Sequence, residues 1–305
     1  MLVNFDKANA EFWNELCGST FAQYLGIRDH SEASLQRFDS AYMALYPYLL
    51  ERVPLKELTG KRVLEVGLGY GTLGQKIAKA AAAYVGMDIA EMPTRMMRHR
   101  LAMAGVPGMA VRGSMLECPF SAESFDGFVS IGCFHHTGDV ARCIEEAYRI
   151  LKPGGTGYIM VYNRFSYRQW LQWPRETIGA LLDETGLRKR AVMRSSEEQR
   201  RAYDASVDGQ AAPETVFLSI GQLRRMLRRY SWVTFEKENC IDLAISRLCF
   251  IPRKTSGILP MEDIITRYYF RMNVLDRTGV LAKIAEVMGD HDISISSVIQ
   301  KESDP

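Results

Sequence analysis

Residues Val63-Leu64-Glu65-Val66-Gly67-Leu68-Gly69-Tyr70-Gly71 restrict what this chain can fold into more than any other segment. The short apolar run reads as a buried strand of a parallel sheet. It carries an acid near its end and then three glycines at alternate positions. Glycines there let the chain turn sharply and bring its backbone against a ligand, where a Cβ would clash or forbid the dihedrals. Thr72 then opens a helix on which Leu73, Ile77 and Ala81 return at helical spacing. A strand, a glycine turn and a helix in that order form the entrance to a nucleotide-type site.

Two ligand patterns compete for this turn. In the dinucleotide pattern G-x-G-x-x-G a helix N-terminus holds a pyrophosphate, and an acid about 20 positions on takes the ribose hydroxyls. Gly67 and Gly69 fit it, but Thr72 stands at the third position, with Gly71 one place early. The alternative, E/D-x-G-x-G-x-G, resembles the first motif of class I S-adenosylmethionine-dependent methyltransferases. That cofactor has no phosphate and ends in a cationic amino acid, which an acid at Glu65 suits and a pyrophosphate does not.

The following segments decide between them. Ala83-Tyr84-Val85-Gly86-Met87-Asp88-Ile89 reads as a second strand ending in an acid, and Met109 to Ser114 as a third. Ser124-Phe125-Asp126-Gly127-Phe128-Val129-Ser130-Ile131-Gly132-Cys133-Phe134-His135-His136 closely resembles the fourth-strand segment of the same enzymes. Asp139 reads as the N-cap of a helix carrying Val140, Ile144, Ala147 and Leu151. Lys152-Pro153-Gly154-Gly155 is expected to stop that helix, with a fifth strand from Gly157 to Tyr162. Taken in order, these motifs favour the methyltransferase resemblance over a nicotinamide-dependent oxidoreductase.

The resemblance implies a Rossmann-like doubly wound α/β sheet of seven strands in the order 3-2-1-4-5-7-6, strand 7 antiparallel. It also implies S-adenosylmethionine as cofactor. Gly67, Gly69 and Gly71 would allow backbone approach, and Glu65 would orient the turn and the amino end. Asp88 would take the ribose, Ile89 would pack on adenine, Ser114 and Met115 would flank the base, and Ile131 would meet the methionine portion. Many relatives carry an acid where Ser114 stands. His136, and His135 beside it, are the candidate general bases, because an imidazole titrates near neutrality. Tyr42, Tyr46 and Asn163 are candidate acceptor contacts.

Composition bounds the rest. A 305-residue chain, 47% hydrophobic, can bury a sizeable core. Its net charge of +2 advertises no nucleic-acid partner, so a small-molecule acceptor is expected. The basic clusters, among them Arg95 to Arg100, read as solvated helix faces. The six cysteines form no C-x-x-C pair, so no metal is expected. No apolar run reaches the roughly 18 residues of a membrane span, and no leader pattern opens the chain, so a cytoplasmic protein is expected.

Four regions are expected. Residues 1–60 read as an amphipathic helical cover, with Phe12, Trp13 and Leu16 on one face and Pro47 ending a later helix. Residues 61–252 form the cofactor-binding domain. Within it, residues 164–218 are an insertion rich in Arg, Trp and Tyr that acts as a lid in similar enzymes, and Ser219 caps the helix that follows. Trp232 to Phe235 and Arg247 to Ile251 would close the sheet. Residues 253–263 read as a linker. Residues 264–305 resemble the start of an ACT domain, most closely the C-terminal one of homoserine dehydrogenase, and stop after its first β-α-β. Too short to be stable alone, this unit is expected to pack on the rest or to pair with another copy, giving a possible homodimer. If it binds an amino acid, the chain could instead be a non-catalytic regulator.

Overall fold

A computed structural model of the protein describes residues 5–16, 19–185, 195–239 and 246–254, together with Ala282 and Glu286. All but those last two belong to one compact unit, Met1–Ile258; a second unit is Leu259–Pro305. The linker beyond Lys254, the ACT-like segment and any pairing through it lie outside the described residues.

The strands are β1 (Arg62–Val66), β2 (Ala83–Asp88), β3 (Met109–Arg112), β4 (Phe125–Ile131), β5 (Leu151–Tyr162), β6 (Trp232–Asn239) and β7 (Ser246–Arg253). They form one sheet in the order β3-β2-β1-β4-β5-β7-β6. The first five run parallel, and β7 is antiparallel to both β5 and β6. The N-terminal region folds as α1 (Phe5–Leu16), α2 (Ser19–Tyr24), α3 (Glu32–Leu45), α4 (Leu49–Arg52) and α5 (Leu55–Leu58). Between and after the strands lie α6 (Thr72–Ala80), α7 (Glu91–Ala104), α8 (Val140–Ile150), α9 (Tyr167–Gln172), α10 (Pro174–Glu184), α11 (Glu197–Tyr203) and α12 (Ile220–Met226).

Alternation along β1 feeds two cores, one on each face of the sheet. Leu64 and Val66 pack with Ile144 and Ala147 of α8 and Leu223 of α12. Val63 packs with Ile77 of α6 and Met97 and Leu101 of α7. Residues at even and odd positions of a strand point to opposite faces, so Glu65 shares the side of Val63 and of α6. There Gly74 of α6 is required: a Cβ on it would collide with the Glu65 carboxyl and the Tyr84 hydroxyl.

Helix ends follow local chemistry. Asp139 caps α8 by accepting from the Arg142 N–H at 2.9 Å. Val140, Cys143, Ile144, Ala147 and Ile150 form its buried stripe. Ser219 caps α12 in a capping box with Gln222. The helix before Pro47 ends at Leu45.

The Lys152–Gly155 stretch departs from expectation. The helix ends at Ile150, and strand pairing begins at once: Leu151 lies opposite Phe125, while Thr156 lies opposite Gly127. Four residues are therefore extruded from β5 against one from β4. The proline and the glycines, with Gly154 at φ +79°, shape a bulge inside the strand rather than a gap before it.

A second departure concerns Arg100. It does not share the solvated face expected of the Arg95–Arg100 cluster; it is fully buried. Its guanidinium donates from Nη1 and Nη2 to the Asp39 carboxylate of α3 at 3.0 and 2.8 Å, and from Nη1 to Gln75 at 3.1 Å. The Thr72 hydroxyl donates to the same carboxylate at 2.6 Å. Three helices, α3, α6 and α7, converge on this pair, which joins the N-terminal cover to α6 and α7.

Candidate functional site

Strand order reverses beside β1, whose neighbours are β2 on one side and β4 on the other. Connections from β1 and β4 depart to opposite faces there, leaving a crevice beyond the carboxyl ends of the strands. A cavity occupies that crevice. Its floor comes from the loop after β1, the ends of β2 and β4 and the turn after β3; α1 and α3 roof it.

The three glycines of the loop all have positive φ but do different work. A Cβ on Gly69 would meet nothing within 4 Å, so this position opens onto the cavity, which it lines. A Cβ on Gly67 would lie 2.5 Å from Cβ of Cys133, so this glycine lets the loops after β1 and β4 touch. Gly71, expected to approach the ligand, is not part of the cavity wall. It precedes α6 at φ +79°, and a Cβ there would come within 2.8 Å of Arg100 Cδ. The third glycine makes room for the buried arginine.

Asp88 is buried at the end of β2 and lines the cavity. Its Oδ2 accepts from the Leu68 N–H at 2.8 Å and its Oδ1 from the Ala90 N–H at 2.9 Å. Each carboxylate oxygen retains a further acceptor site. Burial raises the Asp88 pKa to about 6, opposed by these backbone bonds. Glu65 also lines the cavity, with the Tyr84 hydroxyl donating to its Oε2. Burial lifts its pKa to about 8, so at neutral pH the carboxyl of the free protein is mostly protonated.

Ile89, Ser114, Met115 and Ile131 line the same space. The Ser114 hydroxyl accepts from the Leu116 N–H at 3.2 Å, capping the short 3-10 turn Met115–Glu117. A hydroxyl has a second acceptor site and a donor left for a ligand.

The two histidines separate. His136 lines the cavity. Its Nδ1 stands 2.9 Å from the Glu214 carbonyl and 3.2 Å from the Thr215 hydroxyl, and its Nε2 3.7 Å from Asp204 Oδ2. The carbonyl can only accept, so Nδ1 carries the proton and Nε2 the lone pair. The Trp13 ring packs on the imidazole, centroids 4.5 Å apart, and Asn9 Nδ2 donates to the His136 carbonyl at 2.8 Å. His135 is fully buried behind it, against Tyr162 at 4.2 Å, and is absent from the cavity wall. In the 3-10 turn Phe134–His136 successive side chains project about a third of a turn apart, which puts one ring into the cavity wall and the other into the core.

Of the acceptor candidates, Tyr42 lines the cavity, whereas Tyr46 and Asn163 do not. Tyr46 packs against Tyr42 and Tyr48. Asn163 is buried and turns the chain after β5, its Oδ1 accepting from the Phe165 N–H at 3.0 Å. Sequence reasoning missed Asp6 and Asn9, which join Trp13 on one face of α1, and it missed Asp204 and Thr215. The i, i+3, i+7 spacing of Asp6, Asn9 and Trp13 was a usable signal. Nothing local marks Asp204, whose partners are distant in sequence.

Among the described residues no group of His, Cys, Asp and Glu could hold a metal ion. No helix among them is long and apolar enough to cross a membrane.

Comparison with known proteins places these features in context. A family model described as a methyltransferase domain matches residues 64–159, from β1 to β5. A phthiotriol/phenolphthiotriol dimycocerosates methyltransferase of Mycobacterium ulcerans is 28% identical over 178 residues, 57% of this chain and 64% of that protein. A ubiquinone biosynthesis O-methyltransferase of Hahella chejuensis is 35% identical over 108 residues, covering 35% of this chain and 45% of the relative. The chain thus spans between about half and two thirds of the length of these curated relatives. The crystal structure of the [4+2]-cyclase SpnF superposes with a TM-score of 0.51 at 13% identity, over 81% of this chain and 95% of that one. The chain therefore has the α/β Rossmann-like fold of methyltransferases, with five parallel strands and a methyltransferase-type segment at residues 64–159.

Proposed function

We propose that the protein is an S-adenosylmethionine-dependent methyltransferase that methylates a hydroxyl of a small, largely apolar molecule. The observation that carries this reading is the cavity itself: a side-chain-free loop at Gly69 and two acids, Glu65 and Asp88, at the switch point of the sheet. These residues fit the cofactor. Asp88 keeps acceptor sites for a ribose diol, Gly67 to Gly69 give backbone access, and Ile89, Ser114 and Met115 offer a partly apolar slot for a base. Glu65 stands where the positive charge of an ammonium would favour its carboxylate, the proton being released to water. A pyrophosphate would meet two carboxyl groups instead. The names of the relatives, a phthiotriol/phenolphthiotriol dimycocerosates methyltransferase and a ubiquinone biosynthesis O-methyltransferase, suit an apolar hydroxyl acceptor.

When bound, the cofactor would supply a methyl group activated by its sulfonium. The chain's own tasks are orientation, exclusion of water and removal of one proton. Trp13 and Tyr42 roof the cavity against water. His136 Nε2 receives the acceptor's proton. Asp204 and Thr215 bracket His136, and the described segment that carries them, residues 195–218, serves as the cover of the acceptor side.

Titration calorimetry with S-adenosylmethionine, S-adenosylhomocysteine, NAD and threonine tests the reading. Binding of the first two is expected. Binding of NAD, or of threonine alone, without S-adenosylmethionine would overturn it in favour of an oxidoreductase or an amino-acid-sensing regulator.

A further inference from the structure

The insertion brings a carboxylate to the candidate base. Asp204 directly follows α11, its side chain only 14% exposed, and its Oδ1 accepts from the Tyr162 hydroxyl of β5 at 3.1 Å. Its Oδ2 faces His136 Nε2 at 3.7 Å. That separation exceeds a hydrogen bond, so the carboxylate acts on the imidazole through its charge. On the other side of the ring the Glu214 carbonyl and Thr215 hydroxyl hold Nδ1. The two arms of the insertion thus grip the imidazole from opposite nitrogens.

We propose that Asp204 is a positioning residue for His136, holding the imidazole at the cavity wall and stabilising its protonated form after it has taken the acceptor's proton. This rests on the reading of His136 as the base. The logic is that of a carboxylate behind a catalytic histidine, with one difference. The tautomer is set by the main-chain carbonyl of Glu214, and the carboxylate sits on the side of the nitrogen that gains the proton. The O–H bond of the acceptor breaks, its proton passes to Nε2, and a neutral imidazole becomes an imidazolium 3.7 Å from a carboxylate.

Other titratable groups also surround the ring. His135 lies with its centroid 4.1 Å away and Tyr162 at 5.8 Å. Glu214 turns its carboxyl to the Thr215 N–H at 3.1 Å, and Asp6 lines the same cavity from α1. Among the described residues, the Asp204 carboxylate stands within ion-pair range of His136 Nε2, at 3.7 Å.

The test is an NMR titration of the His136 imidazole in the full chain, wild type against Asp204→Asn and Asp204→Glu. Assignment comes from the His136→Gln spectrum. Loss of an opposite charge at this range lowers a histidine pKa by about 1 unit or more. A drop of that size in Asp204→Asn, with recovery in Asp204→Glu, is expected, as is the Nδ1–H tautomer in wild-type 15N shifts. A His136 pKa that moves by less than about 0.3 unit in a folded Asp204→Asn protein, or an Nε2–H tautomer in wild type, would overturn the proposal. If Asp204→Asn fails to fold, the tautomer and the Asp204→Glu titration decide it. Calorimetry with S-adenosylmethionine runs alongside: absent binding by the wild type sinks the proposed function, whereas intact binding with an unmoved His136 sinks only this inference.

Discussion

Replacing Gly71 with alanine separates two accounts of the glycine loop. If Gly71 served the ligand, Gly71→Ala would weaken cofactor binding and leave stability nearly untouched. The structure predicts the reverse. At φ +79° an L-residue is strained, at a cost of about 1–2 kcal/mol. The new methyl would lie 2.8 Å from Arg100 Cδ and 3.1 Å from Met97 Sδ. Arg100 cannot swing aside, because Asp39 and Gln75 hold its guanidinium. Overpacking of this kind costs a further ~1–3 kcal/mol. The expected loss is therefore about 2–5 kcal/mol in urea unfolding. A double-mutant cycle isolates the cause. Arg100→Ala is itself expected to cost about 3–5 kcal/mol, because it leaves Asp39 without its cation. Once Arg100 is shortened, however, Gly71→Ala should keep its backbone strain and its contact with Met97 but lose the clash with Arg100, giving a coupling of up to ~1–3 kcal/mol. A Gly71→Ala protein of unchanged stability, or two costs that add within ~0.5 kcal/mol, would refute the argument.

Three further outcomes are expected. Asp88→Asn should lower S-adenosylmethionine affinity by about 10- to 100-fold by calorimetry, the worth of a charge-assisted bond to the ribose; unchanged affinity would remove Asp88 from the site. Burial raises the pKa of both Glu65 and Asp88, to about 8 and about 6, so the folded protein holds protons that the unfolded chain has released. This contribution to stability is complete below about pH 4 and lost as pH rises through those values, so the free protein should melt progressively lower toward about pH 8. Glu65→Gln should flatten the upper part of that slope, and affinity for the cationic cofactor should rise over the same range. Asp139→Ala should cost ~1 kcal/mol by removing the α8 cap, measured in urea, with cofactor affinity unchanged.

The sheet and its ligand edge were legible because their signals are local. Val63 to Gly71, Ala83 to Asp88 and Phe125 to Ile131 announce strands by apolar runs, and Asp139 and Ser219 announce helix starts by a side chain that reaches three residues ahead. What escaped depends on pairs distant in sequence. Arg100 reads as solvated until Asp39 is brought to it from 61 residues away. His135 and His136 are equivalent as letters, and only the turn at Phe134–His136 assigns one to the core and the other to the cavity. Asp204 sits in a run of turn residues, and its meaning comes from Tyr162 and His136 across the insertion. The early start of β5 was hidden by a proline–glycine pair that ordinarily ends structure and here decorates a strand.

The roof helix α1 has a consequence for how such a protein could diversify. Asp6 shares a depression with Ile89, Gly113 and Ser114, whereas Trp13, two turns on, abuts His136. On the proposed function, this one helix would touch the donor end at its first turn and the recipient end at its third, about 10 Å apart at 1.5 Å per residue. Exchange of the residue at 13 would reshape what is accepted while leaving untouched the grip on what is donated. New tastes in substrate could then arise through single steps, without relearning the cofactor.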